Sequence, residues 1–264
     1  MTTRLDQWAG RSPDGVATRE FRISRVGRRD ITGALWTPDT PSGARSLVCF
    51  GHGASGDRYQ FPASRLAADL TAQGIAMLSV EGPDHGLRQT GEGGRAGMIA
   101  DLLREDAMSD MCDDWNEAVE LVCARNALDP ARIGYFGLSM GSAYGIGFLA
   151  QRSRVAVAVL GLWADVEAIP HNETVLACAR ALTAPTLFLT QLDDEFLPVD
   201  GSVSLFSAIG SADKRLHLNP GVHAEIPLDE VDFAAQFLIE HMTGPTDGSP
   251  DREMGQIVDA EPAP

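Results

Sequence analysis

The sequence predicts an α/β protein, an eight-stranded and mostly parallel sheet with helices on both faces and no large cap domain. Short β-branched or apolar runs alternate with longer segments of helical period, the pattern of a parallel sheet covered on both sides. The 264 residues are 44% hydrophobic and 22% charged, enough to bury one sizeable core, and no internal repeat or second core is evident. From Leu162 to Leu182 only about 20 residues are available between a strand and the end of a helix, too few for a lid domain.

Taken in order, Ala17 to Val26 and Asp30 to Trp36, joined around Gly27, read as an antiparallel hairpin. Strands follow at Ser46 to Phe50, Ala76 to Val80, Arg132 to Phe136, Val155 to Leu160, Thr186 to Thr190 and Arg215 to Leu218. Helical period marks Pro62 to Gln73, Asp110 to Arg125, Ser139 to Gln151, Glu173 to Leu182, Val199 to Ala208 and Leu228 to Met242. Residues 1–16 form an N-terminal extension, 17–243 the folded domain, and 244–264 an acidic, Pro- and Gly-rich tail expected to be disordered. Gly86 to Ala107 breaks the alternation. It is too glycine-rich at its start for one helix, and it reads either as a flap over a site or as a surface insertion.

The net charge of −16 opposes a phosphate field, so neither nucleic acid nor an anionic membrane surface is an expected partner. The longest apolar stretch, Val155 to Ala164, is about half of a bilayer span, and the polar start has no signal core. A cytoplasmic protein is expected. Cys49, Cys112, Cys123 and Cys178 are widely spaced without a CxxC pair, as buried free thiols are.

The most informative segment is Arg132-Ile-Gly-Tyr-Phe-Gly137-Leu138-Ser139-Met140-Gly141, an apolar strand that runs into Gly-x-Ser-x-Gly and then a helix of small residues. A serine on a sharp strand-to-helix turn needs strained backbone angles, and side chains two residues to either side would collide with the neighbouring strand and helix. The turn also sets the hydroxyl at a helix N-terminus, where free amides favour developing negative charge. The competing assignment makes Ser139 an ordinary N-cap. A serine hydroxyl is a poor nucleophile unless an imidazole takes its proton and a carboxylate orients that imidazole. After the strand Thr186 to Thr190 comes Gln191-Leu-Asp193-Asp194-Glu195-Phe-Leu-Pro198, a carboxylate cluster in a loop. After the strand Arg215 to Leu218 comes Asn219-Pro-Gly-Val-His223. Both loops stand at the C-terminal ends of strands, in the order Ser, acid, His. An oxyanion also needs two amide donors. The N–H of Met140 is one, and the loop Phe50-Gly-His52-Gly53-Ala54-Ser55-Gly56 offers the other at Ala54. His52 suits a structural role at the strand end. His52 and Ser55, with Asp84 and His85 after the fourth strand and Trp163 after the strand that follows the elbow, are candidate pocket-lining residues.

These residues resemble the α/β-hydrolase superfamily from about Ala17 to Met242. Gly137-Leu-Ser139-Met-Gly141 looks like its nucleophile elbow, His52-Gly53-Ala54 like its oxyanion loop, Asp194-Glu-Phe-Leu-Pro198 like its acid loop and Gly221-Val-His223 like its histidine loop. The opening hairpin and the absence of a long cap look most like dienelactone-hydrolase and prolyl-oligopeptidase-like esterases. The resemblance implies acyl-enzyme hydrolysis of a small-molecule ester, thioester or lactone, without metal or organic cofactor. Ser139 would be nucleophile, His223 base and then acid, and Asp194 orienter. Asp194 is preferred over Asp193 because the family's acid usually stands four residues before a proline, here Pro198. An acyltransferase or thioesterase using the same residues, and a non-catalytic binder that kept the fold, are the alternatives. Ser142 and Gln191 depart from the family, which often carries glycine at both places. The cysteine nucleophile of the founding dienelactone enzymes is replaced by Ser139.

Overall fold

The structure, a computed structural model, describes residues 3–11, 15–39 and 45–244. Nine strands among them build one sheet: β1 (Arg4–Ala9), β2 (Thr18–Ser24), β3 (Ile31–Trp36), β4 (Arg45–Gly51), β5 (Ala76–Val80), β6 (Leu128–Gly137), β7 (Val155–Gly161), β8 (Thr186–Gln191) and β9 (Lys214–Asn219). Their order is β1-β2-β3-β5-β4-β6-β7-β8-β9. The strands from β5 to β9 in that order are mutually parallel, while β3, β2 and β1 add to the edge antiparallel.

The eight strands expected from periodicity are present to within a few residues, and the ninth corrects the count. β1 lies inside the segment read as an N-terminal extension and pairs along its whole length with β2, from Arg4 opposite Ser24 to Ala9 opposite Arg19. Its sequence hides it, because an edge strand has one neighbour and of its six residues Leu5 is the one whose side chain packs against the core. The indole N–H of Trp8 donates to Glu20 on β2 (3.0 Å). The expected tail beyond Gly244 lies outside the described residues.

Helices cover both faces. On one face lie α1 (Ala63–Ala72) and α7 (Leu228–Thr243). On the other lie α3 (Ala107–Asn126), α4 (Met140–Ala150), α5 (Asn172–Ala181) and α6 (Val199–Ala208). β4 serves both cores by strand alternation, with Leu47 and Cys49 facing the larger cluster and Val48 and Phe50 the smaller. The strand order reverses at β4, whose neighbours are β5 on one side and β6 on the other. A crevice therefore opens at the C-terminal ends of β4 and β6, where parallel sheets place ligands. No helix among the described residues is long and apolar enough to cross a membrane. All four cysteines are free thiols, with Cys49, Cys112 and Cys123 buried.

The glycine-rich segment after β5 makes a 3-10 turn (Gly86–Arg88) and then a further helix, α2 (Gly94–Leu102). It is tied down at both ends. The Asp84 carboxylate accepts the N–H groups of Thr90 (2.6 Å), Gly91 (2.7 Å) and Gly93 (3.0 Å), which hold its pKa below the ordinary carboxylate range. Buried Asp101 accepts from Arg29 (2.9 Å), Arg104 (2.7 Å) and the Tyr144 hydroxyl (2.8 Å).

The chain after β4 is anchored by charge. Arg58 binds the fully buried carboxylate of Glu81 at the end of β5, and Glu20 of β2 at 3.0 Å. Glu81 also takes the hydroxyl of Thr32 and the N–H of Leu87 (2.8 Å). Removing one partner of a buried pair strands the other without water. Arg58→Ala should therefore lower unfolding free energy by about 3–5 kcal/mol, read as a shift in urea midpoint at unchanged m-value.

Candidate active site

Ser139 occupies the turn between β6 and α4 at φ 56° and ψ −122°, a conformation that non-glycine residues avoid. Its flanking glycines are sterically required. A Cβ at Gly137 would stand 2.8 Å from the Gly141 carbonyl oxygen, and one at Gly141 would stand 2.1 Å from the carbonyl oxygen of Gly51 on β4. Two further bonds fix the turn: the Ser139 N–H donates to Gly161 O of β7 (2.9 Å), and the buried Ser142 hydroxyl accepts the Gly161 N–H (2.7 Å). The same hydroxyl lies 2.6 Å from both Gly137 O and Gly161 O, its single proton serving one of them at a time. The serine that departs from the family's usual glycine thus stitches the elbow to the next strand.

The loops after β8 and β9 bring the acid and the imidazole to this serine. His223 Nε2 is 2.9 Å from Ser139 Oγ, and Nδ1 is 2.7 Å from Asp194 Oδ2. Asp194 is itself buried, and its Oδ1 accepts the N–H groups of Phe196 (2.9 Å) and Leu197 (3.0 Å). A carboxylate on Nδ1 sets the proton there and leaves the Nε2 lone pair toward the hydroxyl. Asp193 faces elsewhere, accepting the Gly221 N–H (3.2 Å). His217 is paired with Glu230 (2.7 Å), its ring tilted against that of Phe233 (centroids 4.8 Å apart). Gln191, where the family often has glycine, is buried and its side-chain amide donates to Glu225 O in the histidine loop. The backbone N–H of His223 donates to Glu195 (2.9 Å), which lowers that carboxyl's pKa.

Opposite, the Gly53–Gly56 turn carries Ala54. Neither the Ala54 N–H nor the Met140 N–H has an acceptor among the described residues. The turn is gripped from both sides. Gln60 accepts the Gly53 N–H (2.6 Å) and donates to Ser55 Oγ (2.8 Å), while His85 Nε2 reaches Ala54 O (3.0 Å). His52 is buried and neutral: its Nε2 accepts the Gly82 N–H (2.9 Å), its Nδ1 donates to Gly53 O (2.8 Å), and burial pushes its pKa down to about 4.

Ser139 and His223 open into a cavity of about 420 Å³. Of the expected lining residues, His52, Ser55 and Trp163 border it. Asp84 and His85 do not, which corrects that expectation. The Asp84 carboxylate is committed to the backbone that leads into α2, and His85 is buried beside the Gly53–Gly56 turn with Nδ1 against Pro83 O (2.6 Å). Part of the remaining wall comes from the glycine-rich segment that the sequence leaves as either a flap or a surface insertion. Arg95, Met98, Ile99 and Leu102 of α2 line the cavity, so this segment borders the site. Phe196 sets its ring edge against His223 (centroids 5.3 Å apart) and carries the Arg95 guanidinium on its face at 3.9 Å. Gln60 also escaped notice, since a lone glutamine four residues beyond a glycine turn has no distinguishing pattern.

Comparison with known proteins bears on the fold. A cold-adapted esterase from an Arctic intertidal metagenomic library, solved as a polyethylene glycol complex, is 29% identical over 90% of this chain and all of its own, with a TM-score of 0.73. An acetyl xylan esterase from a Paenibacillus species matches at 17% identity over 91% of this chain and 88% of its own (TM-score 0.67). A dienelactone hydrolase from Anabaena variabilis matches at 19% over 90% and 99% (TM-score 0.61). The chain has the α/β-hydrolase fold, and these structural neighbours are esterases and hydrolases. Uncharacterized proteins of Mycobacterium tuberculosis are 26% identical over 205 residues, 72% of this chain, which spans 66% of their length. No family model matches the sequence.

Gln60→Ala should free the Gly53 N–H and loosen the turn that carries Ala54. Amide exchange at Gly53 should rise about tenfold, the worth of one hydrogen bond, and ester turnover should fall by about 10- to 100-fold, with little change in melting temperature.

Proposed function

We propose that this chain is a serine hydrolase that cleaves a small carboxylic ester or lactone through an acyl-enzyme. The observation that carries the reading is the unbroken relay from Asp194 Oδ2 through His223 to Ser139 Oγ, at 2.7 and 2.9 Å. His223 Nε2 takes the hydroxyl proton as Ser139 Oγ attacks the substrate carbonyl carbon, and the positive imidazole is held by Asp194. The carbonyl oxygen becomes an oxyanion against the N–H groups of Met140 and Ala54, donors with no competing acceptor among the described residues. Collapse expels the alcohol, which leaves with the proton from His223. Water, deprotonated by the same imidazole, then attacks the acyl-serine and releases the acid.

Three features support catalysis over a binding role for this fold. Ser139 is kept at a positive φ, the Met140 and Ala54 N–H groups have no acceptor among the described residues, and an imidazole is aimed at a hydroxyl. The strained backbone and the unpaired amides cost stability, and none of the three improves a merely apolar pocket. The esterase neighbours favour esters as the substrate class. A cytoplasmic location belongs to the same reading, supported by the buried free thiols of Cys49, Cys112 and Cys123.

A fluorophosphonate probe should label Ser139 stoichiometrically, and folded protein that stays unlabelled and inert toward nitrophenyl esters would refute the reading. His223→Ala should cut kcat by roughly four orders of magnitude or more. Asp194→Asn should cost kcat on the order of ten-thousand-fold, and Asp193→Asn far less. An inverted ranking of the two would move the acid by one residue.

A further inference from the structure

The polar groups of the cavity wall are largely spoken for. His52 uses both ring nitrogens on backbone, Gln60 spends its amide on Gly53 and Ser55, and His223 faces Ser139 and Asp194. Arg95, the one guanidinium in the lining among the described residues, is stacked on Phe196. Apart from the buried Trp163 indole N–H, which has no partner among the described residues, what remains is apolar: Met98, Ile99 and Leu102 from α2, the Trp163 ring and Ile169 from the chain after β7, and Phe61 beyond the oxyanion turn. The apolar surface continues out to the rim, where Phe61, Ile99 and Phe196 are each about half exposed. An apolar cavity of about 150 Å³ takes up a benzene ring, so 420 Å³ holds an ester with a substantial hydrocarbon part.

Resting on the serine-hydrolase reading, we infer that the preferred substrate is an ester or lactone with an uncharged hydrocarbon group of medium length, packed against the α2 wall, and not an acetylated sugar. Two physical terms decide this. Each methylene buried by the wall adds about fourfold to kcat/KM. A sugar carries several hydroxyls into a space whose one uncommitted side-chain donor among the described residues is the Trp163 N–H, and each hydroxyl left without a partner forfeits about tenfold. The acetyl xylan esterases that share the fold therefore do not transfer their substrate to this chain. The segment Gly86 to Ala107, which supplies α2, is what sets the preference.

The test measures kcat/KM for p-nitrophenyl acetate, butyrate, hexanoate and octanoate, for ethyl to octyl acetates, and for acetylated xylobiose. At least one hydrocarbon series should rise tenfold or more above its shortest member, with acetylated xylobiose below all nitrophenyl esters. Ile99→Trp, which fills the wall at a half-exposed position, should lower the octanoate-to-acetate ratio about tenfold when the acyl series is the one that rises. The corresponding octyl-to-ethyl ratio is read when the alcohol series rises. Ile99→Asp should move the ratio the same way and guards against a variant that misfolds. Flat or falling profiles in both series, acetylated xylobiose as the best substrate, or ratios unmoved by both variants would each overturn the inference. Fluorophosphonate labelling of Ser139 in the same samples separates the two levels. Labelled protein with the wrong profile defeats the substrate class alone, whereas unlabelled, inert protein defeats the hydrolase reading beneath it.

Discussion

Gly51 and Gly141 touch backbone to backbone. With the Gly51 carbonyl oxygen 2.1 Å from where a Cβ of Gly141 would stand, α4 can approach β4 this closely only if that residue has no side chain. The close approach forces the chain to turn abruptly after β6, and the turn leaves Ser139 at φ 56°. Strain of this kind persists only where the surroundings over-determine it. Here they are the Ser139 N–H bond to Gly161, the Ser142 hydroxyl between Gly137 and Gly161, and a Tyr135 ring that leaves Gly145 no room for a side chain either. Everything else at the site is placed relative to a hydroxyl that cannot move far.

The second half of the site is built differently. The Gly53–Gly56 turn belongs to no helix or strand, so side chains hold it in place. Gln60 and His85 hold the peptide groups on either side of Ala54, and Arg58, two residues before Gln60, is locked to Glu81 and Glu20. Through Glu20 and Trp8 this charge network reaches β1 at the sheet edge. Buried ion pairs are weak contributors to net stability, but they are demanding about geometry. That suits a loop whose amide must point in one direction.

The segment between β5 and α3 joins these two halves. Its glycines let the chain pass close to Asp84 and Glu81, where Cβ atoms at Gly97 and Gly86 would lie 2.9 and 1.7 Å from carboxylate oxygens. Asp84 and Asp101 then pin the two ends of α2, and apolar side chains between them line the cavity into which Ser139 opens. Glycine richness here reflects close packing around the Asp84 and Glu81 carboxylates, and the segment forms one wall of the cavity.

The sequence by itself determined the sheet, the helices on its two faces, the elbow at Ser139 and the two loops that end in Asp194 and His223. These are written in local signals: apolar period, paired glycines, and polar clusters at strand ends. The tertiary structure sets Asp194, the carboxylate already preferred from the family resemblance, against His223 and turns Asp193 to the Gly221 N–H, a difference of direction that adjacent residues of one type do not show in sequence. It also decided the ninth strand, since an edge strand with one inward residue has almost no periodicity to read. The parts played by Gln60, Ser142, His85 and the α2 wall depend on which distant segments fold against them, and no spacing along the chain encodes that.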